Sequence, residues 1–241
     1  MKKIIILSTQ RSGSTMVCDD IAGTEKLGRP SEYFIKVIDS LNKVSQDELK
    51  VLIEEALIKG ETNNGITALK IMSNQVAPIG SALQKAAISD DKSPLDAFYN
   101  FFKDYFFIRV ARENKVAQAV SRVMASQTDI YHTADNVLGM EGMLGKVAQT
   151  RDDSKLLYNH DAIENSLNKI CIEEEFIDHF ISYYNIDIFN VIYENAISDR
   201  SYVHEISRRM LGEEVTLKTR RLKKISSKVS DEWVDRYVSE E

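Results

Sequence analysis

Little in this chain suggests a covalent staple, an interdomain linker or a membrane anchor. Its two cysteines, Cys18 and Cys171, cannot build a disulfide framework and lack metal-ligand spacing. Three prolines and ten glycines leave no recognisable linker, so one domain over residues 1–241 is expected. No apolar run approaches the ~20 residues of a membrane helix. Met1-Lys2-Lys3 leads into only four aliphatic residues, too few for a secretory leader, and reduced cytoplasmic surroundings are expected. Positive charge is not in excess: a net charge of −6 argues against a general nucleic-acid binder. There is no internal repeat and no low-complexity segment. A hydrophobic fraction of 43% with 28% charged residues is ordinary for a globular protein able to bury a full core.

The most informative segment is Ser8-Thr9-Gln10-Arg11-Ser12-Gly13-Ser14-Thr15. It follows Ile4-Ile5-Ile6-Leu7, which reads as a buried strand, and precedes Met16-Val17-Cys18, which reads as a helix start. A strand feeding a small-residue loop and a helix N-terminus makes an anion site, because free backbone N–H groups and the positive end of the helix dipole converge there. The hydroxyls of Ser12, Ser14 and Thr15 add donors, and Arg11 adds a planar cation suited to oxyanions. The loop is not the usual G-x-x-x-x-G-K-[ST] pattern. It lacks the first Gly and the Lys, its cation precedes Gly13, and no obvious magnesium-binding Asp follows a later strand. A plain ATPase or kinase is therefore disfavoured.

Three further apolar segments read as strands: Thr67-Ala68-Leu69-Lys70-Ile71, Phe106-Phe107-Ile108-Arg109-Val110 and Ile188-Phe189-Asn190-Val191-Ile192. Between them lie helical spacings such as Leu49-Ile53-Ala56-Leu57, and Ile172, Phe176, Phe180 and Ile181. Alternating strands and helices imply an α/β fold, a P-loop-like domain whose central, mainly parallel sheet is flanked by helices. Ligands of such sheets bind at the carboxyl ends of the strands, where the first loop sits. Residues 133–155 have little apolar periodicity and read as a mobile or partner-facing insert.

A second constellation follows the third strand. Asn114 is placed to cap a helix whose buried stripe is Val116, Ala119, Val120 and Val123. Arg112 then lies at the strand's carboxyl end beside the first loop, with Ser121 two and a half turns along the helix. One reading has Arg112 and Ser121 gripping a second phosphate; the other has Arg112 in a surface ion pair and Ser121 as a small packing residue.

Taken together, these segments resemble the trehalose 2-sulfotransferase family of bacterial carbohydrate sulfotransferases, which use 3'-phosphoadenosine 5'-phosphosulfate (PAPS). Seven segments carry the resemblance in order. They are Gln10-Arg11-Ser12-Gly13-Ser14-Thr15, Gly28-Arg29-Pro30-Ser31-Glu32-Tyr33-Phe34, Leu69-Lys70-Ile71-Met72-Ser73-Asn74-Gln75, residues 112–121, Gln127-Thr128 with Tyr131, Ile192-Tyr193-Glu194, and residues 230–237. The resemblance implies that Arg11, Ser12, Gly13, Ser14 and Thr15 bind the 5'-phosphosulfate, that Arg112 and Ser121 bind the 3'-phosphate, and that Glu32 is the general base. It also implies a carbohydrate or glycoconjugate acceptor and a homodimer. No metal is expected, because a sulfuryl group carries less charge than a phosphoryl group and a protein cation can serve instead. The chain departs from the family at position 73, a Ser where relatives often carry an aromatic, and at Lys224-Ile225-Ser226-Ser227, where relatives tend to carry Arg-Gln-x-Asp.

Plainer readings stand beside these. Glu32, after Pro30, suits the first turn of a helix. His132 reads as an exposed histidine, Lys70 as a strand residue reaching past the sheet end, and Trp233 as a packing anchor for the last helix. The basic run Lys218, Arg220, Arg221, Lys223 and Lys224 reads equally as a phosphate clamp or a solvated helix face. Two other function classes stay open: an ATP-dependent phosphotransferase with an atypical loop, and a non-catalytic nucleotide-binding module.

Overall fold

Alternation along the first strand sorts the core into two layers. The computed structural model describes residues 2–134, 147–148, 151–223 and 227–240. Strand β1 (Lys3–Ser8) lies parallel between β2 (Thr67–Met72) and β3 (Phe106–Ala111). Two short strands follow in the chain, β4 (His132–Ala134) and β5 (Val147–Ala148), then β6 (Ile188–Ile192) and β7 (Leu222–Lys223). The main sheet has the order β2-β1-β3-β6 with every pair parallel, and the four expected strands are its four members. A small second sheet has the order β5-β4-β7.

The helices are α1 (Ser14–Ala22), α2 (Ile35–Ser40), α3 (Gln46–Lys59), α4 (Val76–Lys85), α5 (Pro94–Phe102), α6 (Lys115–Thr128), α7 (His160–Tyr183), α8 (Tyr193–Ser198), α9 (Ser201–Leu211) and α10 (Lys228–Glu240). Ile5 and Leu7 of β1 point into a layer shared with Ile53 of α3, Leu83 of α4 and Phe98 of α5. Ile4 and Ile6 point the other way, toward Val17 and Ile21 of α1 and Ile206 of α9. Burying each of these aliphatic side chains contributes about 1.5–3 kcal/mol. A third cluster joins α6, α7 and α10 through Val120, Met124, Ile163, Ile170 and Trp233, which makes Trp233 the expected packing anchor.

Local signals explain the helix ends. Ser45 and Glu48 form a reciprocal capping box at the start of α3. Asn114 caps α6 as its position suggested, its side chain accepting from the Ala117 N–H at 2.8 Å. One expectation fails on α7, where Ile172 is 65% exposed. The buried line there runs through Ile163, Ser166, Ile170, Glu174, Ile177 and Phe180. Ile172 lies two residues from both Ile170 and Glu174, hence on the opposite face.

The order of the sheet fixes where a ligand can sit. The chain leaves β1 toward β2 on one side and later returns to β3 on the other, so the carboxyl end of β1 is the topological switch point. The insert expected over 133–155 falls largely on 135–146 and 149–150, outside the described residues. No helix of the described residues is long and apolar enough to cross a membrane.

Candidate active site

The loop after β1 turns sharply into α1. Arg11 and Gly13 both have positive φ, +63° and +87°, and Gly13 is the N-cap of α1 with no side-chain cap. A Cβ at position 13 would lie 2.1 Å from Cδ2 of Tyr193, so the turn needs glycine for conformation and for space. The first N–H groups of α1 have no intrahelical partner and open toward the loop. Ser12 is fully buried and its Oγ has no hydrogen-bond partner. Gln118 of α6 ties the loop down, its Nε2 donating to the Gln10 carbonyl at 2.7 Å and to Thr9 Oγ1 at 2.9 Å. Thr9 in turn donates to Glu174 at 2.7 Å, and that buried carboxylate is balanced by Arg109 at 2.7 Å and Lys115 at 3.4 Å.

Two guanidinium groups face this loop with little compensation. Arg11 donates from Nε to Ser121 Oγ at 3.0 Å and from Nη1 to the Tyr131 carbonyl, both neutral acceptors. Burial, then the charges of Arg112 and Arg151, push its pKa down to about 10. Arg112, at the end of β3, lies over the Tyr193 ring at 4.9 Å and only 3.9 Å from Glu194, with no hydrogen bond at Nε. Glu194 is oriented by the backbone N–H groups of Glu113 and Asn114, at 3.0 and 3.2 Å. Burial lowers the Arg112 pKa as well. Like charges held together in a partly buried site disfavour each other, and a bound anion would relieve that repulsion.

On the other side of the loop a carboxylate is held by β2. Glu32 lies in the loop before α2, not in its first turn. Its Oε1 is 2.9 Å from Lys70 Nζ, and its Oε2 accepts from Gln75 Nε2 at 2.9 Å. Gln75 is itself fixed because its Oε1 accepts the Met72 N–H at 3.1 Å. Lys70 also donates to Thr15 Oγ1 at 3.0 Å, and Thr15 Oγ1 lies 3.5 Å from His132 Nε2. Burial and the charges of Arg11 and Lys70 push the His132 pKa down to about 3, so its ring is neutral near pH 7.

The sequence-derived residues therefore converge. Arg11, Ser12, Gly13, Ser14 and Thr15 form the loop, Ser121 touches it through Arg11, and Arg112 and Glu32 flank it. Ser121 is bonded to Arg11, and Arg112 leans on Tyr193 and Glu194. Two expectations need correction. His132 is not exposed, since it packs against Thr15. Lys70 does not reach past the sheet: it is buried and bound to Glu32 and Thr15.

Among the described side chains of the basic run, three are paired with carboxylates and none lies in a helix. Arg220 and Arg221 pair with the buried Asp20 and Asp19 of α1, and Lys218 pairs with Glu25. Lys224 lies outside the described residues. Lys70, Gln75, Gln118 and Tyr193 lie in segments that carry the family resemblance but were given no site role there. Only Lys70 left a signal, a lone cation in a strand whose every residue is buried. Among the described residues one surface trio, His160, Asp161 and Glu164 at the start of α7, has metal-compatible spacing, and it includes none of the loop residues.

The chain is 24% identical to trehalose 2-sulfotransferase of Mycobacterium tuberculosis (strain ATCC 35801 / TMC 107 / Erdman) over 272 residues, covering 100% of this chain and 96% of the relative. It is 25% identical to trehalose 2-sulfotransferase of Mycolicibacterium smegmatis (strain ATCC 700084 / mc(2)155) over 264 residues, covering 97% and 93%. A sulfotransferase domain from the Synechococcus PCC 7002 olefin synthase aligns with 89% of this chain and 74% of that one, at 16% identity and a TM-score of 0.37. The family model described as Stf0 sulphotransferase matches residues 3–240, so the chain belongs to that family and is a sulfotransferase.

Proposed function

We propose that this protein moves a sulfuryl group from PAPS to a hydroxyl of a carbohydrate or glycoconjugate. The unit that acts is the domain of residues 1–241, as a cytoplasmic homodimer. One observation carries the donor assignment. Arg11 and Arg112 converge on a loop whose buried Ser12 Oγ has no partner, while Arg112 Nε also lacks a hydrogen bond. Such a set of unsatisfied donors fits a polyanion. The carbohydrate acceptor follows from the trehalose-sulfating relatives.

PAPS supplies a sulfuryl group activated by its bond to phosphate. Arg11, the hydroxyls of Ser12, Ser14 and Thr15, and the start of α1 hold the phosphosulfate end. Ser121 keeps Arg11 in place, and its own O–H proton is free for an anion; Arg112, braced by Tyr193 and Glu194, meets the 3'-phosphate. Glu32 takes the proton of the acceptor hydroxyl as that oxygen attacks sulfur. A positioned base of this kind is worth roughly two to four powers of ten in rate. Arg11 offsets the negative charge that grows on the leaving phosphate. With these cations in place the reaction needs no metal.

The test is calorimetric binding of 3'-phosphoadenosine 5'-phosphate and of ADP, each with and without magnesium, to the wild type and Arg112→Ala. The expected result is metal-independent binding that prefers the 3'-phosphate and loses that preference in the variant. Equal or tighter binding of ADP with magnesium would overturn the reading in favour of a phosphotransferase. Binding without any turnover would leave a nucleotide-binding module.

A further inference from the structure

Lys70 is an ammonium inside the sheet. It pairs in register with Ile6 of β1, and every residue of β2 is buried. Taking such a charge out of water costs several kcal/mol unless partners compensate it. Its two partners belong to different halves of the site: Glu32 Oε1 at 2.9 Å and Thr15 Oγ1 at 3.0 Å. One cation thus touches both the carboxylate assigned as base and the loop assigned to the phosphosulfate.

We propose that Lys70 is a positioning residue that couples the two, releasing its positive charge to the anion in the loop when Glu32 gains a proton. The inference rests on the reading of Glu32 as the base. While Glu32 is ionised, its charge cancels most of the field of Lys70 a few ångströms away. In the transfer, the acceptor oxygen forms a bond to sulfur and gives its proton to Glu32. The bond from sulfur to the leaving phosphate oxygen breaks, and that oxygen keeps the electron pair. Neutralising Glu32 ends the cancellation as negative charge accumulates beside Thr15, so Lys70 stabilises the transition state more than the ground state without moving.

The surrounding groups leave this effect to Lys70. The titratable neighbours that face the pair are Cys18 from α1 and His132 from β4. Burial drives the Cys18 thiol up to about 12, and burial with Arg11 and Lys70 drives His132 down to about 3, so both are neutral at pH 7. Arg11 keeps a constant charge.

The test needs no acceptor. Glu32→Gln imitates the protonated carboxyl, so at pH 7 it should bind 3'-phosphoadenosine 5'-phosphate about tenfold more tightly than the wild type, the scale of one screened charge nearby. Lys70→Met in the wild-type background leaves the Glu32 charge uncompensated and should weaken that binding by about tenfold. The double variant should lose the tightening, and Glu32→Gln with Lys70→Arg should keep it. A double variant that binds as tightly as Glu32→Gln, rather than like the wild type, or no tightening in Glu32→Gln, overturns the coupling. Should Lys70→Met fail to fold by circular dichroism, the comparison of Glu32→Gln with the wild type still decides. The base reading fails separately, if Glu32→Gln turns over normally, and the donor reading fails if the wild type does not bind the probe.

Discussion

The Nε of Arg11 donates to Ser121 Oγ across 3.0 Å, joining the loop after β1 to the second turn of α6. The bond aims a guanidinium that has only neutral acceptors and two cationic neighbours, Arg112 and Arg151. Removing the donor and removing its support should therefore differ in size. Arg11→Ala should lower kcat by about a hundredfold, the usual cost of losing a donor at a developing oxyanion. Ser121→Ala removes one hydrogen bond and should cost about fivefold. The double variant should be no worse than Arg11→Ala, because the two act as one unit. Steady-state rates with PAPS measure this, and additive losses would show that Ser121 has a role of its own.

His132 gives a pH dependence of stability with a definite sign. An unfolded histidine titrates near 6.5, while burial, Arg11 and Lys70 hold the folded one at about 3. Between these values the unfolded chain carries a proton that the folded chain does not, so stability falls as pH drops through that window. At pH 5 the loss from this group alone reaches about 2 kcal/mol. His132→Gln should abolish it. Urea unfolding at pH 7.5 and pH 5 should show the variant gaining on the wild type by that amount, and an unchanged gap between the two would rule the mechanism out.

How much of this was readable in the sequence follows from where each side chain's partners lie. The four strands were legible because each carries an apolar run: β1 and β3 are central, and the edge strand β2 is buried throughout, its run broken only by Lys70. The loop was legible because strand, small residues and helix are contiguous. Ser121 was singled out as a site residue, but its bond to Arg11, 110 positions away, could not be read from the sequence. Lys70, His132 and the pairing of Arg220 and Arg221 with Asp20 and Asp19 depend on contacts between distant segments, and composition carries no trace of them. Ile172 was misplaced because an apolar residue also stands on the face of α7 opposite the buried line, while the charged Glu174 takes a place in that line.

Asp20 is where stability and site geometry meet. It is fully buried on α1 and accepts from Arg220 at 2.5 and 3.0 Å and from Tyr202 at 2.5 Å, with Arg200 at 3.0 Å. The chain from Arg220 leads directly into β7, which pairs with β4, and β4 begins at His132. Asp20→Ala leaves two arginines without their carboxylate and should cost about 3–5 kcal/mol in urea denaturation. It should also weaken binding of 3'-phosphoadenosine 5'-phosphate, because β4 follows directly on the Tyr131 carbonyl that steadies Arg11. Arg221→Ala, which leaves the Asp20 pairs intact, should cost less. Equal losses for the two would show that the segment leading from Arg220 into β7 is held elsewhere.

Gly13 connects the loop to Arg112 through one ring, that of Tyr193. Its φ of +87° is strained for any other residue, and a Cβ would sit 2.1 Å from Tyr193 Cδ2. Tyr193 supports Arg112 at 4.9 Å, so moving the ring moves the cation. Gly13→Ala should lose about 1–3 kcal/mol of stability from backbone strain. It should also reduce the preference for 3'-phosphoadenosine 5'-phosphate over ADP. Adding Tyr193→Ala clears the steric conflict but not the strain or the missing support. The double variant should therefore regain part of the stability and none of the preference, measured by thermal unfolding beside calorimetry. If the preference returns along with the stability, Arg112 does not depend on the Tyr193 ring, and the two phosphate sites are independent.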